Sequence, residues 1–262
     1  ICWAMRCEHE MTLHDENCFI TLTYNDKNLP SDYSLQKDHF VNFMKRLRKE
    51  IAPKKVRYFM CGEYGDVTWR PHYHAILFGY AFPDKQQVQS NEVENPYFIS
   101  GQLSRLWDNG NHIVANATFA TAAYVARYCT KKITGDEAEG HYSRTIMDFD
   151  ENTGELKTYL ETVLEPEYAT MSRRPGIGKG WFEKYAMDCY PSDYLIKDGH
   201  KMPVPKYYDK LLEMKNEFLL AEVKWAREKQ ARLEALNYDG PSLRAREHCK
   251  VKQAETLRRN RV

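Results

Sequence analysis

No apolar run in this sequence approaches the roughly 20 residues a helix needs to cross a bilayer, and no secretory leader pattern opens the chain. A membrane partner is therefore not expected. Disulfide patterns are also missing. The seven cysteines are odd in number and scattered, with no Cys-x-x-Cys, which fits reduced thiols better than a disulfide framework. Neither sign of charge dominates: 38 Lys and Arg face 37 Asp and Glu, a formal net charge of +1. Charge balance alone thus argues for no nucleic-acid partner, and any basic surface must be local. No internal repeat is present. The chain opens on Ile1 and not on Met, so further residues upstream are expected.

What is there centres on Trp69-Arg-Pro-His-Tyr-His-Ala-Ile-Leu-Phe78. The run Ala75–Phe78 is apolar up to Gly79, the pattern of a buried strand. Alternation along a strand sends His72 and His74 to one face, about 7 Å apart, close enough to share a divalent cation. The segment 57–63 is a second strand, and the turn residues between Glu63 and Pro71 predict a hairpin. That hairpin sets Glu63 beside the start of the histidine strand. Two imidazoles and one carboxylate make an open site suited to Mg²⁺ or Mn²⁺, whereas a structural zinc site would need four protein ligands.

Two further segments bear on this. Phe19–Tyr24 alternates as a strand, a neighbour for the histidine strand. Residues 118–132 are alanine-rich and open on Thr118, the pattern of a capped helix. Tyr124 and Tyr128 lie four apart on one helical face, with Lys131 and Lys132 one turn beyond. Taken singly, each feature has a plainer meaning: hydrogen-bonded sheet histidines, a turn carboxylate, tyrosines in core packing.

Together the segments resemble a known family. Phe19-Ile-Thr-Leu-Thr-Tyr24, His72-Tyr-His74 and Tyr124-Val-Ala-Arg-Tyr128-Cys-Thr-Lys131 are similar to the three ordered motifs of HUH endonucleases, in the branch with two tyrosines. Glu63-Tyr-Gly65, Arg70-Pro71 and Ser172-Arg-Arg-Pro-Gly-Ile-Gly178 further resemble the replication initiators of gokushovirus-type microviruses. The likeness runs over about residues 1–190. In the first Tyr-x-x-Lys the lysine position holds Arg127; the second, ending at Lys131, is intact.

The resemblance implies an α+β fold: a central antiparallel sheet of about five strands with the histidine strand near its centre, flanked by helices. It implies rolling-circle initiation in the cytoplasm of a bacterial host. One strand of single-stranded origin DNA would be nicked and rejoined through a 5′-phosphotyrosine, with a 3′-hydroxyl left for host polymerase and helicase to use. In that scheme His72, His74 and Glu63 hold the metal, Tyr124 and Tyr128 are nucleophiles, and Lys131 favours the phenolate. Candidate DNA contacts are Arg70, Tyr73, Arg127, Lys132, Arg173, Arg174 and Lys179. Tyr73, with Trp69 and Tyr64, would stack on bases. Two other readings compete: a single-stranded nucleic-acid binder without chemistry, and a metal-dependent nuclease that uses activated water.

The remaining segments carry less chemistry. Residues 35–50 predict an amphipathic helix, and His112 lies on a strand where local bonding satisfies it. Residues 143–160 predict an accessory hairpin. In Gly176-Ile-Gly-Lys-Gly180 the phosphate-loop pattern fails, because Gly180 stands where Ser or Thr is required. A glycine turn at a helix start with Arg173, Arg174 and Lys179 could still take a phosphate, or be a tight structural turn. Residues 191–240 predict a linker and one long C-terminal helix over Lys206–Asn237. Residues 241–262 hold seven Lys or Arg against two Glu, the pattern of a disordered basic tail.

Overall fold

The computed structural model describes residues 1–88, 96–128, 132–149, 153–235 and 239–256. The chain divides into two units, Ile1–Tyr185 and Ala186–Val262. In chain order the first contains α1 (Cys2–Met11), β1 (Asn17–Thr23), α2 (Lys37–Glu50), β2 (Arg57–Tyr64), β3 (Pro71–Phe78), β4 (Gln86–Gln87), β5 (Phe98–Ile99) and α3 (Gly101–Leu106). It continues with β6 (His112–Asn116), α4 (Phe119–Tyr128), α5 (Glu137–Tyr142), β7 (Ser143–Phe149), β8 (Leu156–Val163) and β9 (Tyr168–Met171). Helix α6 (Lys179–Cys189) breaks at Tyr185 (φ −125°, ψ 25°), where the units divide.

The fold is α+β. Seven strands form one antiparallel sheet in the order β4-β5-β6-β1-β3-β2-β9. The histidine strand β3 lies between β1 and β2, near the centre as expected. The sheet exceeds the expected five strands because short edge pieces, β4, β5 and β9, are recruited by pairing and not by a local pattern of their own. Strands β7 and β8 form a separate hairpin.

Register decides what each face carries. Thr21 pairs with His74, and His74 with Cys61; Glu63 pairs with His72. One face therefore presents Phe19, Thr21, Phe59, Cys61, Glu63, His72, His74, Ile76 and Phe78. Its apolar part packs under α1 and α4 through Ala4, Cys7, Ala122, Val125 and Tyr128. The opposite face carries Ile20, Leu22, Met60, Tyr64, Tyr73, Ala75 and Leu77 against Phe40, Phe43, Met44 and Leu47 of α2. The sheet is thus buried on both faces, and the histidine strand cannot slip by one residue without exchanging its imidazoles for Tyr73. At Gly110 a side chain is sterically excluded: a β-carbon would lie 2.3 Å from the Asn25 backbone nitrogen.

In the second unit β10 (Tyr194–Lys197) and β11 (His200–Pro203) form a hairpin, followed by α7 (Lys206–Lys215), α8 (Glu217–Glu234) and α9 (Gly240–Thr256). The single long helix expected over Lys206–Asn237 is two helices. Asn216 leaves the helical region (φ −155°, ψ 87°), and its side chain caps α8 by accepting the Leu219 N–H at 3.0 Å. Arg227 is the polar hub here, bonding Asp193 and Asp209, while Tyr190 donates to Asp209. The segment expected to be a disordered tail is helical through Thr256, where Ala, Arg, Lys, Glu and Gln are frequent. Asp239 starts it by accepting the Ser242 N–H.

Candidate metal centre

The hairpin of β2 and β3 brings the three predicted ligands together. Glu63 Oε1 lies 2.8 Å from His72 Nε2 and 2.9 Å from His74 Nε2. Their ligand atoms all fall within 4.8 Å of one another, and among the described residues this is the group of His, Cys, Asp and Glu arranged to hold a metal. Glu63 and His74 are buried and His72 is half-buried.

Both imidazoles are oriented from behind. His72 Nδ1 lies 3.1 Å from the Arg70 carbonyl, and His74 Nδ1 lies 2.9 Å from the Thr21 hydroxyl. A carbonyl only accepts, so His72 Nδ1 carries a hydrogen. Neutral His72 would then turn a bare Nε2 lone pair onto a carboxylate oxygen 2.8 Å away. Only a positive charge between them, proton or cation, makes that contact favourable. Two imidazole nitrogens and one carboxylate oxygen, converging and held by outer partners, fit a divalent cation with open positions.

The tyrosine helix supplies the opposite wall. Thr118 caps α4, its hydroxyl accepting the Thr121 N–H at 3.2 Å. Tyr124 Oη lies 3.3 Å from both Glu63 Oε1 and His74 Nε2. The Tyr124 and Tyr128 rings sit 5.1 Å apart with their hydroxyls hydrogen-bonded, and the Tyr128 ring stacks on His74 at 6.1 Å. Tyr124 is half-buried; Tyr128 is 2% exposed.

The electrostatics are those of a crowded, dry site. Burial would raise the Glu63 carboxyl, but hydrogen bonds from His72 and His74 outweigh it and bring it down to about 2. Burial lowers His74 below the ordinary histidine range. Burial, then the Glu63 charge, pushes both tyrosines well above the usual phenol value. At rest the phenols are therefore neutral, and each needs added positive charge to become a nucleophile.

The other expected contacts divide. Arg70 bonds the Tyr24 carbonyl at 3.1 Å and Asp26 at 2.8 Å, at the mouth of the hairpin. Arg127 is half-buried on the last turn of α4, and Lys132 is exposed just past it. Lys131 lies outside the described residues. Tyr73 is a correction. Alternation sends it to the face opposite His72 and His74, where it is fully buried and bonds Tyr24 and the Gln36 backbone. No base can stack on it. Tyr64 is likewise buried, 4% exposed.

Arg173, Arg174 and Lys179 are not brought to the centre. Strand β9 pairs Met171 with Phe59, so the chain leaves the sheet near Arg57, about 20 Å of strand from Glu63. The phosphate expected on the glycine turn is also displaced. Glu10 Oε2 already accepts the Gly178 N–H at 2.7 Å, and Lys179 pairs with Glu183. The turn is structural, filled by the chain's own carboxylate.

Thr21 and Phe19 were missed as site residues. The signal was available, because their place on a strand beside β3 puts Thr21 opposite His74. Phe19 stacks on His74 at 5.6 Å. His112, expected to be satisfied locally, accepts the Ser100 N–H at 3.0 Å.

Comparison with known proteins bears directly on this arrangement. Residues 17–133, which span all three motifs, match the family of replication-associated proteins described under the name ORF2. Replication-associated protein ORF2 of Spiroplasma virus 4 is 30% identical over 244 residues, 88% of this chain and 69% of that protein. The chain belongs to this family. Replication-associated protein VP4 of Bdellovibrio phage phiMH2K is 32% identical over 213 residues, 78% of this chain and 60% of that protein. Replication-associated protein ORF4 of Chlamydia phage 1 is 27% identical over 216 residues, 80% and 49% of the two chains. The chain thus spans between about half and about two thirds of these relatives' lengths. No solved structure gives a significant match. No helix among the described residues is long and apolar enough to cross a membrane.

Proposed function

We propose that this chain initiates rolling-circle replication of a single-stranded DNA phage in the host cytoplasm, by nicking and rejoining one strand at the viral origin. The observation that carries the proposal is Tyr124 Oη, 3.3 Å from both Glu63 Oε1 and His74 Nε2. A helix-borne phenol held against an open set of metal ligands suits attack on a phosphate bound between them.

His72, His74 and Glu63 would hold the divalent cation, of the Mg²⁺ or Mn²⁺ class. When bound, it would supply positive charge to the scissile phosphate and to the nearby phenol oxygens. The chain's own residues do the rest. Thr21 and the Arg70 carbonyl fix the imidazoles; α4 aims the phenols; Arg127 and Lys132 flank the strand's path. A tyrosine oxygen bonds to phosphorus as the P–O3′ bond breaks. The phenol loses its proton and the leaving 3′-oxygen gains one. Lys131, with Lys132 as alternative, is assigned to favour the phenolate.

The link formed is a 5′-phosphotyrosine, beside a 3′-hydroxyl that host polymerase can extend while a host helicase opens the duplex ahead. Because the link conserves a phosphodiester's energy, the 3′-hydroxyl of a completed strand can attack it and restore the DNA without a nucleotide cofactor. Two adjacent phenols allow one to hold the 5′ end while the other cuts again.

The test is covalent trapping. End-labelled single-stranded DNA covering the origin, with Mn²⁺, should give a protein–DNA adduct that survives denaturant. Changing Tyr124 and Tyr128 together to Phe should abolish it. Cleavage that persists in the double variant without an adduct would point to activated water instead. Binding with no cleavage would point to a non-catalytic binder.

A further inference from the structure

A cavity of about 210 Å³ opens at the end of the β2–β3 hairpin, lined by Tyr64, Gly65, Asp66, Trp69, His141 and Glu167. The mechanism above uses none of these side chains. The volume is below the roughly 300–1,000 Å³ that drug-sized ligands occupy, so it suits one heterocycle and not a length of chain.

Its walls are aromatic and its polar groups acceptors. The Trp69 ring lies 5.9 Å from Tyr64 and 5.5 Å from His141. Trp69 adopts φ +52°, a left-handed conformation that bulky residues rarely take. The turn imposes it: the Trp69 N–H bonds the Gly65 carbonyl at 2.9 Å, and the Gly65 N–H bonds the Arg70 carbonyl at 3.0 Å. A large indole kept at a position better suited to glycine marks a functional site. Glu167, 8% exposed, is braced by the Tyr142 hydroxyl at 2.5 Å. The Arg144 guanidinium lies over Trp69, 3.6 Å from the ring centroid.

We propose that this cavity holds one unpaired base of the bound DNA strand, and that the base is guanine. Two carboxylates only accept hydrogen bonds and repel phosphate, so they select a ligand edge rich in N–H groups. The Watson–Crick edge of guanine offers adjacent N1–H and N2–H donors that match a carboxylate. Thymine offers one N–H between two carbonyls. Tyr64, Trp69 and His141 supply the stacking surface, and Arg144 at the rim meets the backbone. Trp69 is three residues from His72, within about 10 Å of strand, so the bound base lies close to the scissile phosphate. The inference rests on the reading that the chain acts on single-stranded DNA, and it adds where sequence is read.

Fluorescein-labelled oligothymidylates of about 12 nucleotides, each with one central G, A, C or T, would be titrated by anisotropy in EDTA at fixed salt. The G oligonucleotide should bind at least about fivefold tighter than the all-T one. Trp69→Gly, which suits the positive φ, and Asp66→Asn or Glu167→Gln should erase that preference while all-T binding is unchanged. Equal affinity for all four oligonucleotides, preference for another base, or a G preference untouched in every variant would overturn the proposal. Covalent trapping on origin DNA combined with no base preference would remove the cavity's role and leave the nicking chemistry standing. Failure to bind any oligonucleotide would remove both.

Discussion

Replacing Thr21 with Val should weaken Mn²⁺ binding by about 10–100-fold without disturbing the fold. The two side chains have the same shape, so packing beside Phe19 and His74 is kept. What disappears is the 2.9 Å hydrogen bond to His74 Nδ1. That bond sets which nitrogen carries the proton. With Nδ1 occupied by Thr21, Nε2 is left bare for the cation; without it, the proton can sit on Nε2 facing Glu63 Oε1, 2.9 Å away. The cation must then displace a proton already hydrogen-bonded to a buried carboxylate. The expected loss corresponds to about 1.4–2.7 kcal/mol of binding free energy, against about 1 kcal/mol of folding stability for the lost bond. Calorimetric titration of Mn²⁺ into folded variant measures the first, and urea unfolding without metal measures the second. Thr21→Ser keeps the hydroxyl and should behave nearly as wild type. A folded Thr21→Val protein with wild-type Mn²⁺ affinity would refute the assignment of these residues as the ligands.

Two more expectations concern the scaffold. His9 is buried and stacked on Trp181 at 3.5 Å, and burial lowers it from 6.5 to about 4. Above pH 6.5 it is neutral folded or unfolded; below, the unfolded chain takes up the proton first, so stability is lost as pH falls toward 4, by about 2 kcal/mol between pH 7 and 5. Urea unfolding at the two pH values should show this, and His9→Phe, which still stacks but cannot titrate, should shrink the difference; an unaltered pH dependence would contradict it. Tyr73→Phe should cost about 1–3 kcal/mol, because it strips the hydroxyl from Tyr24 and the Gln36 backbone. It should leave oligonucleotide affinity unchanged; a marked loss of affinity in a folded variant would restore Tyr73 as a DNA contact.

How much could be read from the residues depended on whether the information was local. The histidine strand, its hairpin partner and the tyrosine helix announce themselves through period-two and four-residue spacing, and these meet in one cluster. Tyr73 shows the same rule neglected: the alternation that unites His72 with His74 sends the residue between them to the other side. Arg173, Arg174 and Lys179 failed for a different reason. Their distance from the centre depends on β9 pairing with β2 at Phe59, a long-range register with no local signature. The Gly178 turn looked like a phosphate cradle because nothing nearby in sequence reveals that Glu10 fills it. Asn216 is ambiguous by type, since asparagine is tolerated inside a helix and favoured at its start. The edge strands of two to four residues are too short to carry a pattern.

The placement of α1 has a practical consequence. The family match begins at residue 17, one helix too late for the folded body. Ala4 and Cys7 share a buried cluster with Ala122, Val125 and Tyr128, while Arg6 and Glu10 tether Ile177 and Gly178. A fragment trimmed to the matched segment would leave the tyrosine helix with one greasy flank bare to water. Expression designs for this domain should therefore start ahead of Cys2 and run past α6, or risk losing catalytic alignment through an edit that touches no catalytic residue.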